Sequence, residues 1–139
     1  MALFRELGSG PTAERESEFR AVCDRAFTDV LTHERGVAWL AESAAGEQVG
    51  DPVGSNVLLL FPRIPSPNCL IADEGYVLSV YTLPAWRGRG VATALMRESI
   101  AEARRRGLAR LRLHATPAGQ RVYAGEGFKL RTDEMELWL

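Results

Sequence analysis

Between residues 80 and 95 the chain reads Val80-Tyr-Thr-Leu-Pro-Ala-Trp-Arg-Gly-Arg-Gly-Val-Ala-Thr-Ala-Leu95. An apolar strand passes into a proline, then an Arg/Gly-rich turn, then an amphipathic helical run. Gly88 and Gly90 fall where the first N–H groups of a helix still lack intrahelical partners, and a glycine lets another molecule come close to those donors. The helix dipole adds positive potential and Arg87 and Arg89 reinforce it, so these residue types suit an anionic, phosphate-like group. The alternative, which these residues favour less, is an ordinary strand-to-helix turn with glycines for geometry alone. Two nucleotide loops fit poorly. A Gly-x-x-x-x-Gly-Lys-Ser/Thr loop needs a lysine, and the only one in the chain is Lys129. A dinucleotide fingerprint would read Gly88-x-Gly90-x-x-Thr93, with threonine in place of the third glycine and its βαβ unit starting mid-chain.

The elements around this turn follow from periodicity. Thr12 precedes a helical run over 13–33, in which Phe19, Val22, Cys23, Ala26, Phe27, Val30 and Leu31 form an apolar stripe at spacings of three and four. Val37–Glu42 reads as a strand and Ser43–Glu47 as a turn. Gln48-Val49 resumes a strand, Asp51-Pro-Val-Gly54 interrupts it, and Asn56–Phe61 continues it, which predicts either a bulge or a long hairpin loop. Three prolines within 62–68 exclude a central strand there, and with Cys69–Glu74 they form a long connection able to wall a binding site. Gly75–Thr82 is β-branched and aromatic enough to be central, with Ser79 and Tyr81 on one face unless a bulge shifts the register.

The helix after the turn is predicted over Gly88–Arg106, with Val91, Ala92, Leu95, Met96, Ser99, Ile100 and Ala103 on its inner half and Gly107 as its stop. Its arginines Arg104 to Arg106 suit a solvated helix end better than a nucleic-acid contact. Ala109–Ala115 alternates as a strand, Thr116 is an N-cap with Pro117 at the first helical position, and a short helix carrying Val122 and Tyr123 stops at Gly127. Strands starting at Phe128 and spanning Met135–Leu139 close the chain. The order predicts one α/β domain over 1–139, a mixed sheet with helices on its faces.

Composition narrows the class. At 139 residues, with 46% hydrophobic and 25% charged residues, the chain can bury its own core. No apolar run approaches the ~20 residues that span a bilayer, and Arg5 and Glu6 argue against a signal peptide. Cys23 and Cys69 lack framework spacing, so reduced thiols and a cytoplasmic protein are expected, and two histidines offer no metal cluster. Residues 1–74 carry 12 acids against 6 arginines, a balance of −6, while 75–139 carry 11 basic residues against 6 acids, +5. The positive half would favour a phosphate-bearing ligand and the negative half a cationic substrate, unless the charges merely sit on solvated faces.

With these elements placed, Thr82–Phe128 resembles the GNAT acyl-CoA-dependent N-acetyltransferase superfamily. Its Arg/Gln-x-x-Gly-x-Gly/Ala signature after a strand and proline is Arg87-Gly-Arg-Gly90-Val-Ala92 here, and its Tyr-x-x-x-Gly-Phe is Tyr123-Ala-Gly-Glu-Gly127-Phe128. The resemblance implies a mostly antiparallel central sheet flanked by helices. It implies that the turn, from Arg87, Gly88, Arg89, Gly90, Val91 and Ala92 to Thr93, holds the pyrophosphate of acetyl-CoA. The strand at Val80, Tyr81 and Thr82 would splay from its neighbour and pair with the pantetheine, and a backbone N–H near Tyr81 would stabilise the oxyanion. Tyr123 would protonate the departing thiolate. A carboxylate should take the amine's proton; Glu74, Asp73, Glu42 and Glu6 are the candidates, and Glu74, nearest the central strand, is chosen. No metal is implied.

Two departures stand out. Many members carry asparagine seven residues before the tyrosine, where its amide holds pantetheine; here Thr116 either takes that role or only caps the helix. The family also opens with a strand and a helix pair, whereas only Leu3–Glu6 precedes the first long helix, so the first strand is expected to be missing or to lie upstream. A sheet edge left open that way would invite pairing with a second copy in a homodimer. The expected activity is direct acetyl transfer from acetyl-CoA to a primary amine of a small molecule or peptide, with neither nucleic-acid nor membrane partner. The alternative is a CoA-binding sensor that kept the fold without turnover.

Overall fold

The computed structural model describes residues 11–44, 50–131 and 135–138. A short 3₁₀ turn at Ala13–Arg15 leads into helix α1 (Glu16–Thr32), followed by strands β1 (Gly36–Glu42), β2 (Pro52–Pro62) and β3 (Asp73–Thr82). After a 3₁₀ turn at Pro84–Trp86 come helix α2 (Val91–Arg105), strand β4 (Leu111–Arg112) and helix α3 (Pro117–Gly125). The strands lie in sequence order in one sheet; β1-β2 and β2-β3 are antiparallel and β3-β4 is parallel. This is the mixed sheet with flanking helices that the residue pattern predicts, mostly antiparallel as the resemblance implies.

The core lies between the sheet and α2. Leu58 and Val77 are direct partners across β2-β3 and meet Met96 of α2, all three at most 2% exposed. Trp39, Val80, Ile100, Leu111, Leu113, Tyr123 and Phe128 pack around them. Leu111 of β4 and Leu113 just past its end both pack against this core. Glycine at 75 is a packing requirement, because a Cβ there would lie 2.6 Å from Leu111 Cδ2 and 2.7 Å from Leu58 Cδ1.

Several boundaries move for identifiable reasons. Asp51-Pro-Val-Gly54 does not interrupt a strand. Pro52 opens β2, a position where its missing N–H costs no ladder bond, and Gly54 is buried against Val91 and Leu95 of α2. Strand β3 begins at Asp73, two residues early, because Asp73 and Glu74 pair with Pro62 and Phe61. The central helix starts at Val91 rather than Gly88, since Gly88 and Gly90 hold φ of 72° and 81° and cannot be helical. The strand expected over 109–115 shrinks to two residues, and Phe128–Leu130 and 135–138 carry no strand.

The stripe on α1 is also less buried than its periodicity suggests. Val22, Phe27 and Leu31 are 40–48% exposed, and Cys23 is half-buried. Gln48, Val49, Glu6 and the Leu3–Glu6 segment lie outside the described residues. Among the described residues no helix is long and apolar enough to cross a membrane.

Candidate functional site

Strand β3 loses its regular pairing on both sides within a few residues. Toward β2, Leu78 pairs with Val57 but Tyr81 pairs with Ser55, so three steps on β3 match two on β2 and an extra residue bulges at Ser79-Val80. Ser79 has φ 53°, a left-handed conformation that non-glycine residues rarely hold and that costs about 1–3 kcal/mol. Its carbonyl accepts a hydrogen bond from Ser55 Oγ at 3.2 Å. The simple sharing of a face by Ser79 and Tyr81 is therefore broken by the bulge.

Toward β4 the ladder holds only at Gly75–Leu111 and Tyr76–Arg112, with two more bonds at its start, from Gly75 N to the Arg110 carbonyl at 3.0 Å and from Ala109 N to the Asp73 carbonyl at 2.9 Å. Beyond Tyr76 the two strands part. The expected splay is present, and the bulge at Ser79-Val80 lies within it. Val80 packs against the core while Thr82 is buried at the strand's end, its hydroxyl without a hydrogen-bond partner.

The chain then reaches the Arg/Gly turn. Arg87 reaches back, its Nε donating to the Thr82 carbonyl at 3.2 Å and its guanidinium lying 5.8 Å from the Tyr81 ring centre. Arg89 stacks on Trp86 at 5.0 Å. The first helical bond of α2 runs from Ala94 N to the Gly90 carbonyl, so the N–H groups of Val91, Ala92 and Thr93 precede the helical ladder, and no side chain caps them. Around the positions a Cβ would take at Gly88 and Gly90 there is open space for 4 Å. A phosphate can therefore approach these donors unhindered, and the residues present fit a ligand with an anionic end here and an extended arm in the splay.

Asn56, which the sequence reading passed over as a strand residue, ties these two ends together. It lies on β2 opposite the bulge, fully buried, and its Nδ2 donates at 2.8 Å both to the Leu95 carbonyl and to Ser99 Oγ on α2. A buried amide in a run of leucines and valines is the available signal, but its partners are about forty residues away.

Tyr123 projects from α3 onto the core with its ring edge-on to Phe128, centroids 6.2 Å apart. It lies over its own helix: a Cβ at Gly119 would come 2.8 Å from the ring and 3.2 Å from the phenol oxygen. Burial pushes the phenol pKa above its ordinary value, so at neutral pH the group is a proton donor. Thr116 Oγ1 accepts from Gly119 N at 3.2 Å, an N-cap bond. A cavity of about 660 Å³ behind β4 is bordered by Leu113, His114, Tyr123 and Phe128.

Glu74 has surroundings that do not suit a base. It is 5% exposed, and its carboxylate meets Arg110 Nε at 2.7 Å, Arg112 at 2.9 Å and Arg63 at 3.8 Å. Burial acts to raise its pKa, but the Arg110 hydrogen bond and the charges of Arg112, Arg110 and Arg63 outweigh it and hold the carboxyl below its ordinary value. A carboxylate so held clamps β3, β4 and the proline-rich loop together and accepts protons poorly. Asp73 and Glu42 are exposed at strand ends.

Next along that face, Tyr76 Oη and His114 Nδ1 are hydrogen-bonded across the gap where β3 and β4 part. The sequence reading missed this pair. Its residues are 38 apart, and only the parallel register brings them together.

A family model described as Acetyltransferase (GNAT) family matches residues 3–128. Among solved structures, a GCN5-related N-acetyltransferase from Ralstonia eutropha JMP134 is 31% identical with a TM-score of 0.80, the match covering 99% of this chain and 86% of that one. A predicted acetyltransferase with acetyl-CoA from Clostridium acetobutylicum aligns at TM-score 0.82 and 24% identity over 98% and 82% of the two chains. Glucosamine-6-phosphate N-acetyltransferase from Arabidopsis thaliana aligns at 0.70 and 15% over 93% and 80%. No curated protein matches the chain.

Proposed function

The chain belongs to the acetyltransferase (GNAT) family, and from that premise we propose that it is an N-acetyltransferase that moves the acetyl group of acetyl-CoA directly to a primary amine within a ternary complex. The observation that carries this reading is the joining, on consecutive residues, of a bulged strand parted from its neighbour to an open, uncapped helix start. One end offers strand N–H groups to an extended arm and a thioester, the other offers helix N–H groups to a pyrophosphate. Bound acetyl-CoA supplies the acetyl group as an activated thioester.

In this reading the N–H groups of Val91, Ala92 and Thr93, with the loop from Arg87 to Gly90, hold the pyrophosphate. Val80, Tyr81 and Thr82 line the pantetheine, and a bulge N–H polarises the thioester carbonyl, a contribution of about 3 kcal/mol where one such donor has been removed elsewhere. Tyr123, kept protonated by burial, donates to the leaving sulfur. Thr116 acts as a helix cap and leaves the pantetheine to backbone groups.

The test is incubation with acetyl-CoA and a panel of small amines and peptides of varied charge, reading acetylated product by mass spectrometry and free thiol by colorimetry. Amine-dependent thiol release with matching product is expected. Tight acetyl-CoA binding with no transfer to any amine would replace the enzyme by a CoA-binding sensor.

A further inference from the structure

We propose that His114 is the general base that takes the proton from the acceptor amine, held in position by Tyr76. This rests on the acetyl-transfer reading above and assigns a group that reading leaves open. The parallel ladder ends at Tyr76–Arg112, and His114 follows two residues on, where the strands part short of the Ser79-Val80 bulge, bordering the same cavity as Tyr123. A side chain there is within reach, directly or through one water, of an amine attacking a carbonyl held at the bulge.

The pair lies on the sheet face that bears Phe61, Tyr76 and Glu74. Phe61 stands edge-on to Tyr76 at 6.4 Å, which fixes the phenol. The hydrogen bond between Tyr76 Oη and His114 Nδ1 then sets the imidazole's orientation. With Nδ1 as donor to the phenol oxygen, Nε2 keeps its lone pair, because in a neutral imidazole only one nitrogen carries a proton. Glu136 Oε1 lies 3.8 Å from Nε2. Among the described residues, Arg110 and Arg112 just before it in the chain and Lys129 and Arg131 across the cavity line the same pocket.

The proton balance closes. The acceptor ammonium gives one proton to His114 Nε2, and its freed lone pair forms the C–N bond. As the C–S bond breaks, the sulfur takes the Tyr123 proton. The second nitrogen proton, shed as the amide forms, restores Tyr123 through solvent. Products are amide, thiol and one proton, which His114 releases to water.

The measurement is the pH dependence of kcat at saturating acetyl-CoA and acceptor for the full chain, its H114Q and H114A forms and Tyr76→Phe. The wild-type kcat should rise with pH along one limb, as a reaction that needs a deprotonated base does. H114Q should lose that limb and about hundredfold or more in kcat, while the KM for acetyl-CoA holds within about twofold. Added imidazole should restore part of the H114A rate. Tyr76→Phe should keep the limb, displaced, with a smaller loss in kcat. His114 is largely exposed, so acetyl-CoA binding checks that each form is folded. An H114Q form with the wild-type rate and limb overturns the proposal while acetyl transfer stands; a wild-type chain that binds acetyl-CoA and transfers nothing overturns both.

Discussion

The two walls of the site are built in opposite ways. The wall proposed for acetyl-CoA runs continuously from the bulge through the Arg/Gly turn into α2, so most of its features are set by residues a few positions away. The remaining framework of the site is assembled across long separations: Glu74 with Arg110 and Arg112, Tyr76 with His114, and Asn56, which ties β2 to α2 through Leu95 and Ser99. A contiguous wall can be altered at one position with a local effect on ligand binding. An assembled wall carries the relative placement of strands, so a change there should also move stability. The glycines show the same division: Gly88 and Gly90 face open space, whereas Gly54 and Gly75 are enclosed by side chains of other elements.

Replacing Asn56 by alanine should have the largest effect. It removes both Nδ2 bonds, strands the fully buried Ser99 hydroxyl and opens a small cavity, for about 2–4 kcal/mol of lost stability. Chemical denaturation measures the loss and calorimetry the accompanying fall in acetyl-CoA affinity; an unchanged denaturation midpoint would dissolve the distinction between the walls. Gly90→Val should do the reverse. A β-branched residue at φ 81° is strained and fills the approach to the helix start, so acetyl-CoA affinity should drop about tenfold to hundredfold, in line with about 1–3 kcal/mol of backbone strain. Affinity preserved in Gly90→Val would remove the pyrophosphate from this turn.

Gly119→Ala separates stability from turnover. Helix propensity favours alanine by up to about 1 kcal/mol, yet its Cβ would press on the Tyr123 ring. The helix should hold or gain stability while kcat falls about tenfold through displacement of the phenol. A kcat equal to wild type would show that the position of this tyrosine does not limit the reaction.

Glu74→Gln should have the smallest effect on catalysis and shows itself in pH. The folded-state pKa of Glu74 is depressed, so its stabilisation is complete above the ordinary carboxylate range and is lost as pH falls through the lowered value. At neutral pH the variant should be less stable than wild type, and in acid the two denaturation curves should converge. A loss of kcat confined to the ordinary carboxylate range would return Glu74 to the role of base.

The wall proposed for the cofactor was legible because its signals are short-range. Proline, two glycines at fixed offsets and an amphipathic run identify the turn, and Tyr123 with Gly127 and Phe128 identifies the second motif. The choice of Glu74 as base followed from nearness along the chain, which says nothing about what surrounds a side chain. In the sequence Arg110 and Arg112 are only alternate residues of a strand, and the parallel pairing with β3 brings them onto that carboxylate. The strand expected over 109–115 failed for a related reason: alternation marks residues able to pair, while a ladder needs a partner at hydrogen-bonding distance, and β3 has diverged by Leu113.

By itself the sequence determined the order of elements, the open helix start and the tyrosine on the short helix, since backbone conformation and periodicity are local properties. The tertiary structure alone decided which side chains meet. It placed the extra residue of the bulge opposite Asn56, enclosed Glu74 among three arginines and joined Tyr76 to His114. Strand register governs each of these contacts, and register is settled by the packing of the whole sheet against α2 rather than by any residue's neighbours in the chain.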